Sequence, residues 1–350
     1  MVSNRQTTRG TVLVFGLLVV VGVMGVVLEV SLRLLGYRGA PESIIKNMMP
    51  VDDPVLDWRY VPNSHFQEGN VVYQYNERGF RGDNHVFEKP PGKVRVAVLG
   101  DSVTDGYGVP WNEGFVSVAQ HGLGNEYEII NLGMGGINTP QEIHLLEEIG
   151  LKFSPDYVVV NFILNDGDFY SSLTAARRAD DAAQKKIGVL GLQISPGLKS
   201  WLKSSALIYF VKVRFEDVMG RFSGAANHDY YMELWKNEEN KKKVSQAFDK
   251  LLALSQRHGF QVVVLIWPLL IDYQDYRFGF IHEWVAAAVK IRGFTAIDLL
   301  PAFSTSSYRS LQVTSEDHVH PNAVGHEMAA AQFVRWISGA SPAQRLTTAQ

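Results

Sequence analysis

The sequence predicts an α/β protein: a three-layer α/β/α sandwich around a five-stranded parallel sheet, with an N-terminal transmembrane helix. Three observations favour this fold class: five short apolar segments, helical patterns between them, and one long uncharged apolar run. Strands covered on both faces are apolar throughout, and their alternation with helices is typical of right-handed crossovers in a parallel sheet. The strand segments are 93–100, 127–133, 156–164, 260–268 and 294–300.

The first element is the uncharged apolar run over 11–28. As a helix rising about 1.5 Å per residue it reaches roughly 27 Å, close to the hydrocarbon thickness of a bilayer. Arg5 and Arg9 precede it, so the positive-inside rule places a short segment, 1–10, in the cytoplasm. We predict an uncleaved signal anchor over 11–36 in the inner (plasma) membrane, with the remaining chain on the periplasmic or extracellular side. A cleaved signal peptide is the alternative, but no Ala-x-Ala site follows the run.

Residues 37–92 form a polar connector, in which partial alternation over 70–82 predicts a short β-element that folds back on the main domain. The main domain is predicted over 93–337. Its clearest helix start is Thr139, interpreted as a cap residue that is followed by proline and, three residues on, by Glu142.

Two further helices and two irregular segments complete the main domain and its tail. The sequence over 237–258 predicts an amphipathic helix that ends at Gly259, and a closing helix with an apolar stripe begins at Pro321. Residues 170–234 are predicted to be a helical insertion that covers one edge of the domain, with contact to the membrane surface as the alternative. The small, polar tail over 338–350 is expected to be disordered.

Composition and motif content exclude several functional classes. The net charge is -3 without a basic stripe, which disfavours nucleic-acid binding. The chain has no cysteine, so disulfides, thiolate metal sites and cysteine nucleophiles are ruled out. A phosphate-binding Gly-x-x-x-x-Gly-Lys-Ser/Thr motif is absent, and Gly-x-Ser-x-Gly does not occur around Ser102, which argues against the α/β-hydrolase fold.

Polar residues lie just after the predicted strands. Ser102 follows the first strand, a glycine-rich stretch ending at Gly136 follows the second, and Asn165 follows the third. Asp317 and His320 come directly before the closing helix. Because ligands bind at the carboxyl ends of parallel strands, we expect these residues to meet at one edge of the sheet.

These residue types suit nucleophilic acyl transfer. A serine hydroxyl such as that of Ser102 is a weak nucleophile until a base removes its proton, which histidine does near neutral pH. The histidine needs a carboxylate on its other ring nitrogen, and Asp317 lies three residues before His320. The oxyanion of the tetrahedral intermediate needs fixed donors, which glycine amides and the side chain of Asn165 can supply.

The set of motifs resembles the SGNH hydrolases, also called the GDSL esterase/lipase family. Residues 100–102 resemble its nucleophile block, and residues 131–136 resemble the second block, in which the last glycine donates an amide. Residues 164–166 resemble the Gly-x-Asn-Asp block, and residues 317–320 resemble the Asp-x-x-His block. The resemblance covers about 93–337, with all four motifs in order.

The resemblance implies a flavodoxin-like sandwich with strand order 2-1-3-4-5, no metal or other cofactor, and a serine esterase that forms an acyl-enzyme. Carried over residue by residue, Ser102, His320 and Asp317 form the catalytic triad. The Ser102 and Gly136 amides and the Asn165 side chain form the oxyanion hole.

One position departs from the family pattern: Ile163 stands where the third block has glycine, which narrows the room beside Asn165. The connector and the single anchor resemble membrane-anchored SGNH members of bacterial envelopes, some of which move acetyl groups onto polysaccharides. The main hypothesis is that the protein is a membrane-anchored serine esterase that hydrolyses a small-molecule or glycan ester. O-acyl transfer to an envelope polysaccharide is the alternative, and a catalytically silent scaffold that binds glycan or protein is the second alternative.

Several neighbouring residues are interpreted as structural. Asp101 is expected to cap a turn or helix, Gly133 and Gly135 to form the turn, His318 to be an exposed loop residue and His326 to be a structural histidine. Four aromatic residues are interpreted as core or rim packing, with sugar stacking as the alternative: Trp267, Tyr273, Tyr276 and Trp284.

Overall fold

The computed structural model describes residues 3–35, 37, 47–169, 188–189, 192–193, 201–202, 204–211, 214, 225–315 and 317–339. They belong to two compact units, a smaller one of Met1–Glu42 and Ala182–Ser223 and a larger one of Ser43–Asp181 and Gly224–Gln350. Most of the predicted insertion 170–234 and nearly all of the predicted disordered tail lie outside the described residues, so both stay predictions.

The smaller unit contains the longest helix, α1 (Ser3–Leu34). Within it, Phe15–Leu34 has a mean hydropathy of 2.4 and none of it is buried. Among the described residues this is one helix long and apolar enough to cross a membrane, judged by length and composition. A signal sequence would have the same properties.

Four short strands precede the central sheet in the larger unit: β1 (Met48–Pro50), β2 (Trp58–Tyr60), β3 (His65–Glu68) and β4 (Val71–Gln74). β1 pairs antiparallel with β2, and β3 with β4. The aromatic side chains of Trp58, Tyr60 and Tyr73 are buried in the same hydrophobic cluster as side chains of the central sheet. The segment predicted as a connector therefore supplies part of the core.

Five parallel strands form the central sheet: β5 (Val94–Leu99), β6 (Tyr127–Asn131), β7 (Tyr157–Phe162), β10 (Gln261–Ile266) and β11 (Thr295–Asp298). Between β7 and β10 in the chain, the two-residue strands β8 (Gly188–Val189) and β9 (Leu192–Gln193) pair with each other. The spatial order β6-β5-β7-β10-β11 is the expected 2-1-3-4-5. Every residue of β7 is buried. The predicted fold class is confirmed.

Helices cover both faces of the sheet: α2 (Ser102–Asp105), α3 (Phe115–Leu123), α4 (Thr139–Glu148), α5 (Ala225–Lys236), α6 (Glu238–His258), α7 (Gly279–Lys290), α8 (Leu300–Phe303) and α9 (Ala323–Gly339). Apolar side chains of α4, α6 and α7 belong to one hydrophobic cluster, and those of α3, α8 and α9 belong to a second. The two clusters are the two core layers of the sandwich.

Two predicted helix starts are wrong by one or two residues. The cap of α4 is Asn138, whose side chain accepts from the Gln141 amide at 3.2 Å, while the Gln141 side chain accepts from the Asn138 amide. Thr139 therefore lies one residue inside the helix. Pro321 precedes α9, since Asn322 accepts from the amides at its start. The predicted end at Gly259 is confirmed, with φ 77°.

Candidate active site

Ser102 lies at the carboxyl edge of the sheet, as the first residue of α2 directly after β5. The side chain of Asp101 caps this short helix by accepting from the Val103 amide at 2.9 Å. Gly100 has φ 151°, and a Cβ there would lie 2.0 Å from Thr104 Oγ1. Only glycine permits this sharp connection, which leaves the Ser102 side chain partly exposed.

The structure brings Ser102 together with His320, which is 218 positions away in the sequence. Ser102 Oγ lies 2.8 Å from His320 Nε2, and His320 Nδ1 lies 2.8 Å from Asp317 Oδ2. Asp317 Oδ1 accepts from the amides of Val319 and His320. Burial opposes the charge of Asp317, but the hydrogen bonds from His320 lower the pKa of this carboxyl below its ordinary value. Asp317 is therefore ionised at neutral pH.

Two backbone amides at this edge are left without acceptors. Among the described residues, neither the Ser102 amide nor the Gly136 amide donates a hydrogen bond. Gly136 has φ 77°, a left-handed conformation that suits glycine. A Cβ on the adjacent Gly135 would lie 3.7 Å from Ser102 Cβ, so the glycine-rich loop passes beside Ser102. Such amides are suitable donors to a developing oxyanion.

Asn165 is held by Asp101, a contact that the sequence interpretation of Asp101 did not foresee. Asn165 Nδ2 donates to Asp101 Oδ2 at 2.7 Å, and Asp101 is fully buried. Burial raises the pKa of Asp101. The side-chain amide of Asn165 has two N–H groups, and the bond to Asp101 uses one of them. Ile163, the departure from the family pattern, is buried in the cluster that contains side chains of α3 and α9.

Two further residues lie next to His320 and were not predicted from the sequence to belong to the site. The Tyr107 ring lies 4.5 Å from the His320 ring, and its hydroxyl donates to Glu68 Oε1 at 3.1 Å. Burial raises the pKa of Glu68, which ends β3. Tyr107 lies five residues after Ser102, and this short spacing could have indicated that it belongs to the site. Glu68 carries no motif.

Residues of the amino-terminal part of the larger unit also hold α2, the helix that begins at Ser102. Tyr75 Oη donates to Asp105 Oδ2 at 3.2 Å, and the fully buried Arg81 donates to the carbonyl oxygens of Asp105 and Val109. Burial raises the pKa of Asp105 to about 7. These contacts attach residues 58–81 to α2 and the loop that follows it.

The remaining candidates lie in structural positions. His326 is buried, its Nδ1 accepts from the Phe115 amide at 3.2 Å, and burial lowers its pKa to about 3. The expectation that His318 is exposed is wrong: it is half-buried and its Nδ1 lies 3.1 Å from Gln312 Nε2. Trp267 is buried and donates to Asn161. In the described part of the chain, no group of three or more His, Cys, Asp or Glu is placed to hold a metal ion.

A buried pair of carboxyl groups lies directly behind Asn165. Glu142 of α4 and Asp166 are both essentially inaccessible to solvent, and neither carboxyl oxygen of Glu142 has a hydrogen-bond partner in the described part of the chain. Asp166 Oδ2 also accepts from the Ile163 amide at 2.9 Å. Burial raises the pKa of both groups well above the ordinary range, and repulsion adds to it, from Asp166 at Glu142 and from Asp101 at Asp166. The pair therefore holds at least one proton.

Replacing Glu142 by glutamine is expected to stabilise the protein at alkaline pH. A carboxyl group whose pKa is higher in the folded state than in the unfolded state stabilises the protein fully below its unfolded-state pKa, which is near 4.5 for Glu142. This stabilisation is lost as the pH rises through the folded-state pKa. A glutamine amide stays uncharged at every pH and does not repel Asp166. The free energy of unfolding of Glu142→Gln, measured in urea at pH 8, is therefore expected to exceed that of the wild type by about 1–3 kcal/mol. At pH 5 the difference should be smaller.

The matched control is Glu148→Gln, an exposed glutamate on the same helix. It should leave the pH dependence of the unfolding free energy unchanged. If Glu142→Gln loses as much stability between pH 5 and pH 8 as the wild type, Glu142 is not the group that holds the proton.

The site and the sheet together define a class of protein. A serine, a histidine and an aspartate are joined by hydrogen bonds at the carboxyl edge of a 2-1-3-4-5 sheet. That is an arrangement of acyl-ester hydrolases. The family model of the GDSL-like Lipase/Acylhydrolase family matches residues 98–328, and the chain belongs to this family. The protein is thus an ester hydrolase, and the family resemblance of the motifs is confirmed.

Solved structures of similar fold include TesA, with 14% sequence identity over 70% of this chain and 97% of that chain and a TM-score of 0.42. The acetyl xylan esterase AlAXEase has 15% identity, covers 71% of this chain and 100% of its own, and has a TM-score of 0.40. The aryl esterase of M. smegmatis has 12% identity, coverage of 70% and 98%, and a TM-score of 0.38. No curated protein matches the sequence. Similarities this distant say nothing about substrate.

Proposed function

We propose that the protein is a serine esterase that hydrolyses carboxylic esters through an acyl-enzyme on Ser102. The observation that carries the proposal is the 2.8 Å contact between Ser102 Oγ and His320 Nε2. The other ring nitrogen faces Asp317, which fixes the tautomer with the proton on Nδ1 and leaves Nε2 free to accept the serine proton.

In the first half-reaction His320 Nε2 takes the hydroxyl proton as Ser102 Oγ bonds to the ester carbonyl carbon. The carbonyl oxygen becomes an oxyanion, which accepts hydrogen bonds from the Ser102 and Gly136 amides and from Asn165. The imidazolium, stabilised by Asp317, then gives its proton to the alcohol oxygen as the carbon–oxygen bond breaks. The products are an alcohol and a serine ester.

In the second half-reaction His320 takes a proton from water, and the resulting hydroxyl attacks the serine ester. Collapse of the second tetrahedral intermediate returns the proton to Ser102 Oγ and releases a carboxylic acid. A sugar hydroxyl in place of water would give O-acyl transfer with the same residues. Water and acceptor therefore compete for one acyl-enzyme.

The location proposed for this activity is the outer side of the inner membrane, where α1 anchors the chain. Support comes from the length and hydropathy of Phe15–Leu34 and from Arg5 and Arg9 ahead of it. In that location the available substrates are small-molecule esters and acylated glycans of the envelope.

The test is labelling of the full chain in detergent with a fluorophosphonate, followed by mass-spectrometric mapping of the adduct. We expect one adduct, on the peptide that contains Ser102, and its loss in His320→Ala because the hydroxyl is then not activated. Folded wild-type protein without an adduct would refute the esterase and favour the silent scaffold. Turnover of a chromogenic acetate that rises when an oligosaccharide acceptor is added would identify transfer instead of hydrolysis.

A further inference from the structure

In the smaller unit, a carboxylate inside the apolar helix α1 is bound by a segment from far along the chain. Glu29 accepts hydrogen bonds from Ser205 Oγ at 2.8 Å and from the amides of Ala206 at 3.0 Å and Leu207 at 2.8 Å. Arg33 donates to Glu29 at 2.7 Å and to the Ser204 carbonyl oxygen at 2.7 Å. A charge within a membrane span is costly unless it is satisfied in this way.

The contact with Glu29 fixes the position of the segment along the axis of α1. Glu29 lies five residues before Leu34, the end of the apolar helix. At 1.5 Å per residue that is about 7.5 Å, within the depth of about 5–10 Å to which interfacial helices bury their apolar face. The segment attached to Glu29 is thus level with the boundary between headgroups and acyl chains when α1 spans a bilayer.

The segment exposes apolar side chains on one face. Its described residues 201–202, 204 and 206–211 are helical. Trp201 is 64% exposed, Ile208 41% and Val211 57%, while Ala206 is fully buried. Ser205 interrupts the helix, so Trp201 lies on the part before it, and the three-residue spacing places Ile208 and Val211 on one side of the part after it. An amphipathic helix with tryptophan on its apolar face is typical of a membrane interface.

A groove of about 460 Å³ runs between the segment and α1. Its lining includes Gly22, Gly25 and Val26 of α1 and Trp201 and Ile208 of the segment. A Cβ on either glycine would meet nothing within 4 Å, so the groove is open at the helix surface. Its apolar lining continues the exposed apolar surface of α1.

We propose that residues 201–202 and 204–211 lie in the outer-leaflet interface of the membrane that α1 enters, with lipid acyl chains in the groove. The inference rests on the membrane anchoring proposed above. Lipid is the occupant because the exposed face and the groove continue the surface of a helix that is long enough to span a bilayer. The segment then attaches the chain to the membrane at a second point.

The absence of cysteine makes the test direct, because single cysteines can be labelled with a nitroxide without other changes. Ile208→Cys and Val211→Cys in full-length protein in phosphatidylcholine nanodiscs are probed with oxygen and with a charged nickel chelate. Hydrocarbon excludes the charged chelate, so we expect an oxygen-to-nickel collision ratio at least about tenfold above that of a water-exposed site. Val23→Cys on α1 is the lipid reference, and Ile291→Cys, at an 81% exposed position of the larger unit, is the aqueous reference.

The possible outcomes distinguish the proposed interfacial segment from the proposed membrane anchor. If the labels at positions 208 and 211 are accessible to nickel while the label at position 23 is in lipid, the proposal that the segment lies in the interface is wrong. The proposal that α1 anchors the chain in the membrane is then unaffected. A water-exposed label at position 23 would overturn both. Spin–spin broadening that disappears on dilution with unlabelled protein would show that a second copy covers this face, which also contradicts the proposal. Glu29→Ala should release the segment and lower the ratio at position 208 while position 23 is unchanged.

Discussion

The Ser102→Ala variant is expected to lose about 10⁴-fold or more of kcat towards a chromogenic acetate. The methyl group that replaces the hydroxyl can neither give a proton to His320 nor bond to the carbonyl carbon. The residual rate would come from substrate binding and the donors of the oxyanion hole, since the amides of residue 102 and Gly136 remain. KM should change little, because the hydroxyl contributes mainly in the transition state.

The matched control is Ser255→Ala, a partly exposed serine of α6 whose hydroxyl bonds only to the Leu252 carbonyl oxygen. It should keep wild-type kcat. Both variants should also keep the wild-type unfolding midpoint, because neither side chain fills the core. If Ser102→Ala retains more than about a tenth of the wild-type kcat, an acyl-enzyme on Ser102 is excluded, since losing a nucleophile costs far more than tenfold.

The sequence is informative about this site because each block of residues follows an apolar strand. Once β5, β6 and β7 are recognised as parallel, their carboxyl ends must meet, so Ser102 and the Asn165 loop come together by topology. The three-residue spacing between Asp317 and His320 predicts that these two side chains lie close together. These features depend on local pattern and on strand order, and both are visible in one sequence.

Pair contacts between distant parts of the chain were not predictable in the same way. Glu142 has the position of an ordinary first-turn carboxyl of a helix, and only the fold reveals that it faces Asp166 in the core. Tyr107 and Glu68 are common residue types 39 positions apart. No spacing rule joins such residues, because their contact depends on how separate elements pack.

For the amino-terminal part of the larger unit, the sequence likewise did not predict the contacts with the rest of the fold. Its polar composition predicts a connector, yet its aromatic residues lie in the core and its Arg81 and Tyr75 hold α2. Strands of three or four residues are too short for a clear periodic pattern. A residue that attaches the end of this part, residues 86–88, to the sheet is also unexpected in a buried strand: it is Arg95 of β5.

Arg95 is fully buried, and all five of its N–H donors are used. Its Nε donates to Glu128 Oε2 at 2.6 Å. The two Nη atoms donate to four carbonyl oxygens at 2.7–3.0 Å, those of Phe87, Phe153, Val86 and Glu88. Three of those carbonyls belong to residues 86–88, so one side chain ties this stretch to the sheet.

Replacing Arg95 by methionine is expected to lower the free energy of unfolding by about 3–5 kcal/mol, the cost of removing one partner of a buried ion pair. Methionine keeps the apolar stem but leaves four carbonyl oxygens and part of the Glu128 carboxylate without donors. Urea unfolding of the full chain in detergent, followed by tryptophan fluorescence, measures the loss. Arg257→Met, at an exposed position of α6, should change the value by less than about 0.5 kcal/mol. If Arg95→Met is no more destabilising than that control, water replaces the lost donors and residues 86–88 do not depend on Arg95.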